Sequence, residues 1–327
     1  MEDLKKRNIR WGIIGLGKIA NKFAQDLASI PDAELYAVGS RNQTRANKFA
    51  EKFQAVKAYD SYADLAKDIN IDAVYIATPH SFHKENAILC LEQKKAVLCE
   101  KPMAMNAEEL AEMIAIAQEN NVLLMEAMWT YFLPHYQYVL TLIKNEKFGK
   151  ITKLEADFGF KPEMDLSSRV FKKSLGGGSL LDIGIYPIFA ALSSLGNPET
   201  IKASAFFFEN GTDSQCEMIF EYAQQTAFLK SSFIENTATE AIFTCERGII
   251  RINTRFHMPT TVSLFENGKE EIIDFDYKTI GYNFETIHFN ELLRSGKKES
   301  DLMSFEFSKN LIQKLDEVRS HIGLAYE

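Results

Sequence analysis

Gly15, Gly17 and Ala20 stand at the three small positions of a dinucleotide fingerprint, within Arg10-Trp11-Gly12-Ile13-Ile14-Gly15-Leu16-Gly17-Lys18-Ile19-Ala20. Gly15 permits a tight strand-to-helix turn, Gly17 lets a pyrophosphate approach the backbone, and Ala20 keeps the helix close to the sheet. The helix that begins past Gly17 would aim unpaired N–H groups and its positive dipole end at the phosphates. Gly15, Gly17, Lys18 and Ile19 are therefore candidate dinucleotide contacts. The same residues can build an ordinary tight turn. A strand before, a helix after and further βα units downstream favour the phosphate cradle.

Three other strand ends carry residues with chemistry. The second strand ends at Gly39-Ser40-Arg41-Asn42. A site selective for NAD places Asp or Glu there, to accept hydrogen bonds from the ribose hydroxyls. Ser40 leaves room instead, and Arg41, with Arg45 a helical turn on, offers guanidinium forks suited to a phosphate. NADP(H) is expected, with NAD left open; the alternative is that both arginines are solvated charges on a helix start. Thr78-Pro79-His80, with His83 just after, follows a buried strand and lies where open α/β sheets bind ligands. His80 reads equally as a solvent-facing loop residue, and His83 as a residue that caps or packs its helix. Glu100-Lys101-Pro102 closes the next strand. The proline keeps Lys101 out of the helical region and allows a cis peptide. At a cofactor crevice this lysine is a charged donor that lowers a neighbour's pKa, with Glu100 beside it as a further cofactor contact; elsewhere it is a solvated charge. In the second half, Pro187 is tolerated only in a first helical turn, so Asp182 and Tyr186 are expected at a helix entry.

The elements that must hold these residues follow from periodicity. Ile19, Phe23 and Leu27 form one apolar stripe, and six β-segments alternate with helices up to Glu126. Residues 1–127 are expected to form a Rossmann-type, doubly wound parallel sheet. Asn106 stands as an N-cap with Glu109 at the capping-box position. After Trp129 the rhythm changes: Leu154, Ala156, Phe158 and Phe160 alternate with Lys153, Glu155 and Asp157. Seven further strands, the first near 201–209 and the last near 271–275, and the turn pairs Asn210-Gly211 and Asn267-Gly268 follow. Residues 128–327 are thus expected to form an α+β domain with a large open, mainly antiparallel sheet, closed by an amphipathic helix over 304–322. The run Ala205-Phe206-Phe207-Phe208 puts apolar groups on both faces. One face should lie under helices of its own chain and the other against a second copy, giving a homodimer; the alternative is burial under the C-terminal segment.

The 327 residues allow two domains with their own cores, and a net charge of −8 argues against a nucleic-acid partner. No apolar run is expected to approach the ~20 residues of a membrane helix. The first residues lack the apolar core of a signal peptide. Cys90, Cys99, Cys216 and Cys245 are scattered in apolar runs and read as buried free thiols, which points to the cytoplasm. No metal-ligand cluster is expected; His257, His288 and His321 are scattered.

The fingerprint, Glu100-Lys101-Pro102 and Asp182 through Tyr186, in that order on such a scaffold, resemble the glucose-fructose oxidoreductase / inositol dehydrogenase (Gfo/Idh/MocA) family. Within it the chain resembles the dimeric dihydrodiol dehydrogenase / D-xylose 1-dehydrogenase branch most. Lys95-Ala-Val-Leu-Cys-Glu-Lys-Pro, Leu124-Met-Glu-Ala-Met-Trp-Thr-Tyr-Phe and Leu180-Leu-Asp-Ile-Gly-Ile-Tyr carry this likeness, which covers essentially the whole chain. The resemblance implies NADP, a dimer built through the open sheets, Tyr186 as catalytic acid/base and Lys101 as its helper. Asp182 would orient either partner or only cap its helix. The resemblance assigns Trp129, Phe158, Arg169 and Phe284 to the substrate cleft. The implied reaction moves a hydride between nicotinamide and a ring carbon bearing a hydroxyl. The substrate would be an aldopyranose such as D-xylose, oxidised to the lactone, or a cyclic trans-dihydrodiol. Phe160-Lys161-Pro162 departs from the mammalian-like pattern, so the substrate stays open. A non-catalytic NADP(H)-binding sensor on the same scaffold is the rival expectation.

Overall fold

Six mostly buried residues, Ile9–Ile14, make β1, and the rest of the first unit is wound around it. The computed structural model describes residues 7–165 and 168–326. Along the chain follow α1 (Lys18–Leu27), β2 (Ala33–Gly39), α2 (Gln43–Phe53), β3 (Lys57–Tyr59), α3 (Tyr62–Lys67) and β4 (Ala73–Ile76). Then come α4 (His83–Glu92), β5 (Ala96–Glu100), α5 (Ala107–Asn120) and β6 (Leu124–Ala127). The six strands are all parallel, in the order β3-β2-β1-β4-β5-β6, so the winding reverses between β1 and β4. That is the doubly wound sheet the alternating pattern predicts. Phe23 of α1 stacks on Tyr75 of β4 at 3.7 Å and meets Trp11 of β1 edge-on at 5.6 Å. Asn42, Ser61 and Asn106 cap α2, α3 and α5, each accepting from the backbone N–H three residues on. Glu109 does not close the reciprocal capping box: its Oε2 accepts from Met105 N at 3.0 Å, one residue beyond the cap.

The second unit contains α6 (Pro134–Lys144), β7 (Ile151–Gly159) and α7 (Ile185–Leu195). It continues with β8 (Thr200–Phe207), β9 (Asp213–Glu221), β10 (Thr226–Ser232), β11 (Ala241–Cys245), β12 (Ile249–Ile252), β13 (Val262–Glu266) and β14 (Lys269–Ile273). The eight strands run β14-β13-β12-β11-β7-β10-β9-β8, antiparallel except for the β7–β10 pair. Leu154, Ala156, Cys216, Met218, Phe220, Ala227, Leu229 and Phe243 are buried, as period-two alternation requires of one sheet face. On the opposite side Phe206 and Phe228 stay 65% and 45% exposed. They lie among ion pairs such as Lys202–Glu221 and Lys230–Glu217.

Three expectations need correction. The units do not divide once at 127/128. The first continues through Phe132 and takes back Lys278–Lys309; the second is Leu133–Tyr277 with the chain from Asn310 on. The return is made by α8 (Tyr282–Ser295), whose Phe289 packs 5.1 Å from Trp11 and whose Asn290 accepts from the Trp11 indole at 3.2 Å. The last helix, α9 (Phe305–Ile322), follows. Asp182 does stand in the first turn of a helical run, but Tyr186 does not sit at the entry. A π turn, Leu180–Gly184, runs straight into α7, so Tyr186 and Pro187 are inside one helical run. The widened turn is where a residue without an N–H is accommodated. Finally, Lys173–Leu195 is long and apolar enough to cross a membrane by length and composition, with a mean hydropathy of 1.5, although 94% of that window is buried within the protein.

Candidate active site

The turn after β1 has the shape of a phosphate cradle. Gly15 holds φ at +87°, and a Cβ there would come within 2.7 Å of the Ala77 carbonyl and Thr78 N, so the turn closes against the end of β4. A Cβ at Gly17 would meet nothing within 4 Å. Gly17 is the N-cap of α1, no side chain caps it, and no acidic residue stands in the first turn with Lys18 and Ile19. The free helix N-terminus and the open space before Gly17 fit a pyrophosphate. Arg45 spans back to the same turn, its Nη2 donating to Leu16 O at 2.6 Å. Ser40 is buried at the end of β2, and the Arg41 guanidinium lies 5.6 Å from the Phe82 ring centre. Among the described residues neither arginine pairs with a carboxylate. Both charges act on Tyr62, whose phenol is raised by burial and pulled back by Arg41 and then Arg45. Two guanidinium groups without a carboxylate partner beside a ribose site fit a 2′-phosphate.

The ends of β4 and β5 are tied together by His83. It is fully buried, with Nδ1 2.8 Å from Pro102 O and Nε2 2.9 Å from Thr78 O. His83 thus links the Thr78-Pro79-His80 turn to the Glu100-Lys101-Pro102 turn. His80 is only 4% exposed and its ring centre lies 5.7 Å from that of His83, which removes the solvent-facing alternative. Glu100 accepts from the Tyr75 hydroxyl, and the Lys101-Pro102 peptide is cis. Beneath them Glu285 of α8 is wholly buried; burial, then the nearby Glu100, pushes its carboxyl well above the usual range. Trp129 and Phe284 belong to this first unit too. Trp129 stacks on Tyr282 at 4.4 Å, and Phe284 sits half-buried in the first turn of α8.

The second unit gathers the other predicted residues. Tyr186, 5% exposed, lies 5.7 Å from Phe158 and 4.9 Å from His257, ring centre to ring centre. Phe158 and His257 stack at 4.1 Å. His257 completes this cluster and was missed from the sequence, because it lies far down the chain from Tyr186 in a loop with no motif around it. Arg169 Nη1 donates to Asp182 Oδ1 at 3.0 Å, so Asp182 orients an arginine rather than capping its helix. The helix start is closed instead by Asp213, whose Oδ2 accepts from Leu180 N at 2.6 Å and Ser179 Oγ at 2.7 Å. The structure places Lys101, Trp129 and Phe284 in the first unit and Phe158, Arg169, Asp182 and Tyr186 in the second. No cluster of metal-ligating side chains occurs among the described residues.

Known proteins with a related sequence or shape agree with this picture. Residues 9–128 match the model of the Gfo/Idh/MocA oxidoreductase family, NAD-binding Rossmann fold. Residues 136–251 match that of the Gfo/Idh/MocA C-terminal domain. The chain is 36% identical over 330 residues to trans-1,2-dihydrobenzene-1,2-diol dehydrogenase of Xenopus tropicalis, covering 97% of this chain and 99% of the relative. It is 35% identical over 327 residues to scyllo-inositol 2-dehydrogenase (NADP(+)) of Bacillus subtilis, covering 97% and 98%. A 3-ketoreductase from Actinomadura kijaniata, solved with NADP and TDP-benzene, superposes with a TM-score of 0.88 at 26% identity, covering 97% and 98%.

Proposed function

This chain belongs to the Gfo/Idh/MocA oxidoreductase family, and on that footing we propose that it is an NADP-dependent dehydrogenase acting on a ring CH–OH of a sugar or a cyclic diol. The observation that carries the proposal is the Phe158–Tyr186–His257 cluster, with Arg169 paired to Asp182, four residues before the tyrosine. It supplies a phenol, two flat rings and a charged fork, which suit a small cyclic polyol. The uncapped α1 terminus supports a dinucleotide, and the Arg41 and Arg45 guanidiniums support NADP over NAD. The cofactor accepts or returns a hydride at its nicotinamide ring.

In the oxidation, Tyr186 takes the hydroxyl proton while the hydride leaves the same carbon; in the reduction it gives that proton back to the carbonyl oxygen. A free phenol has a pKa of about 10 and is a poor base near neutrality. The Lys101 ammonium is assigned to stabilise the phenolate and hold the substrate oxygen. Asp182 keeps Arg169 oriented toward substrate, and Trp129, Phe158 and Phe284 are assigned as its apolar walls. Two relatives of similar identity act, by name, on a cyclic diol and on an inositol. Vicinal ring hydroxyls are therefore placed level with an aldopyranose such as D-xylose, oxidised to its lactone. The exposed Phe206 and Phe228 support a homodimer paired through the open sheet face, and four buried free thiols suit the reducing cytoplasm.

The test is Tyr186→Phe, assayed with NADP and NAD in parallel against pentoses, hexoses, inositols and cyclic trans-diols. Turnover should fall by about 10³-fold while NADPH affinity stays within about twofold. Unchanged turnover overturns the proposed role of the tyrosine.

A further inference from the structure

Directly behind the Glu100-Lys101-Pro102 turn stands a carboxyl group that no part of the proposed reaction uses. Glu126 lies on β6 opposite Cys99 of β5 and is 3% exposed. Its Oε1 accepts from Met103 N at 3.0 Å, and its carboxylate also takes a hydrogen bond from the buried Ser308 of α9. Burial pushes the carboxyl up to about 7; Ser308, Met103 N–H and the Lys101 ammonium pull against that, and Glu100 adds to it. Cys99, the remaining titratable neighbour, is held well above its ordinary range by burial and by the Glu100 and Glu126 charges, so it stays a thiol.

The segment after Lys101 is gripped at every residue through Met103. His83 Nδ1 reaches Pro102 O, Cys99 Sγ donates to Met103 O at 3.8 Å, and Glu126 takes Met103 N. A neutral amide could accept from Met103 N at far smaller desolvation cost than a carboxylate. Here the carboxylate is favoured by the Ser308 hydrogen bond and the Met103 N–H, and then by the Lys101 ammonium two residues before Met103.

We propose that Glu126 is a positioning residue for Lys101: it anchors the backbone two residues past the lysine and supplies the buried counter-charge that sets where the ammonium stands. This rests on the assignment of Lys101 to the reaction, so the two are tested together through Glu126→Gln, Lys101→Met and the double variant. Glu126→Gln keeps an acceptor for Met103 N and removes the charge, with an NH2 group in place of one acceptor oxygen. It should lower kcat at least tenfold, with substrate KM and NADPH affinity within about threefold. In the double variant the loss should equal that of Lys101→Met alone, because the glutamate acts through the lysine. Wild-type kcat in Glu126→Gln, or losses that multiply in the double variant, overturns the proposal while leaving the lysine assignment standing. Full turnover in Lys101→Met overturns both.

Should Glu126→Gln fail to fold, the coupling is read on the unsubstituted glutamate. The carboxyl signals of ¹³C-labelled full-length protein are titrated with and without Lys101→Met. Loss of the ammonium should move the Glu126 titration to higher pH by at least half a unit; no movement overturns the proposal.

Discussion

Three helix N-termini here are treated in two opposite ways. At α8, Asp26 reaches across from α1, and its carboxylate accepts from Ile280 N, Gly281 N and Tyr282 N at 3.1, 2.7 and 2.8 Å. At the helical run leading into α7, Asp213 does the same for Leu180 N and Ser179 Oγ; a Cβ on Gly178, whose φ is +119°, would collide with its other oxygen. At α1 no side chain of the described residues caps the terminus, and Gly17 faces open space. The first turn of a helix exposes unpaired donors and a partial positive charge. Where the chain supplies its own carboxylate, the terminus is structural. Where it supplies none beside a glycine turn, the donors are left for a ligand's phosphates. The contrast separates cofactor binding from stability, and each can be removed without the other.

The largest effect is expected at Asp26. It is 2% exposed, and Asp26→Ala strands three backbone donors in the core. Hydrogen bonds to a charged acceptor contribute roughly 1.5–3 kcal/mol each before compensation, so a loss of about 4 kcal/mol is expected by urea unfolding. NADPH affinity of the folded fraction should stay within about threefold. A loss below about 1 kcal/mol would mean that water or another group serves the α8 terminus.

Asp213 should reveal itself by pH. Burial raises its carboxyl from 3.8 to about 6, against the pull of Ser179 Oγ and Leu180 N. The folded chain therefore holds that proton longer than the unfolded chain. Its contribution to stability is complete at low pH and falls by about 3 kcal/mol as pH rises through the window from about 4 to 6. Glu126 acts in the same direction up to about 7. His135 opposes both: burial lowers it to about 4, so stability is lost as pH falls below its unfolded value of 6.5. In Asp213→Asn the slope of unfolding free energy between pH 4 and 6 should change by about 1.4 kcal/mol per pH unit, becoming less negative. An unchanged slope would show that Asp213 is ionised throughout.

Local pattern made much of this legible. Apolar alternation and the two Asn-Gly turn pairs located the strands of the second sheet to within a few residues. The phosphate turn, Arg41, Arg45 and the residues at the ends of β4 and β5 could be read because each sits at a strand tip, where topology alone decides what is near. What could not be read depends on contacts between distant parts of the chain. Asp26 looks like one more polar residue in an amphipathic helix until α8 arrives over it. His257 stands in a loop far from Tyr186 in sequence, and neither its spacing nor its neighbours point to the tyrosine. Pro187 was misjudged for a related reason: a π turn cannot be seen in residue types, and it lets a proline sit where an ordinary helix would reject it.

The smallest change in stability carries the sharpest test of the contrast. Gly17 has φ at −89° and ψ at −164°, an extended conformation open to any residue, and no atom blocks a side chain there. Gly17→Ser would give α1 the cap that Asn42, Ser61 and Asn106 give their helices. Replacing an N-cap glycine by serine adds only a few tenths of a kcal/mol, so the cofactor-free protein should become slightly more stable. The same hydroxymethyl group would occupy the approach of the pyrophosphate and satisfy one of its donors. NADPH affinity should weaken by about tenfold, roughly 1.4 kcal/mol, with the opposite sign to the stability change. If binding is unchanged, the phosphates do not use this terminus. If the variant is instead destabilised by more than about 1 kcal/mol, the space before Gly17 is not open, and α1 belongs with α7 and α8.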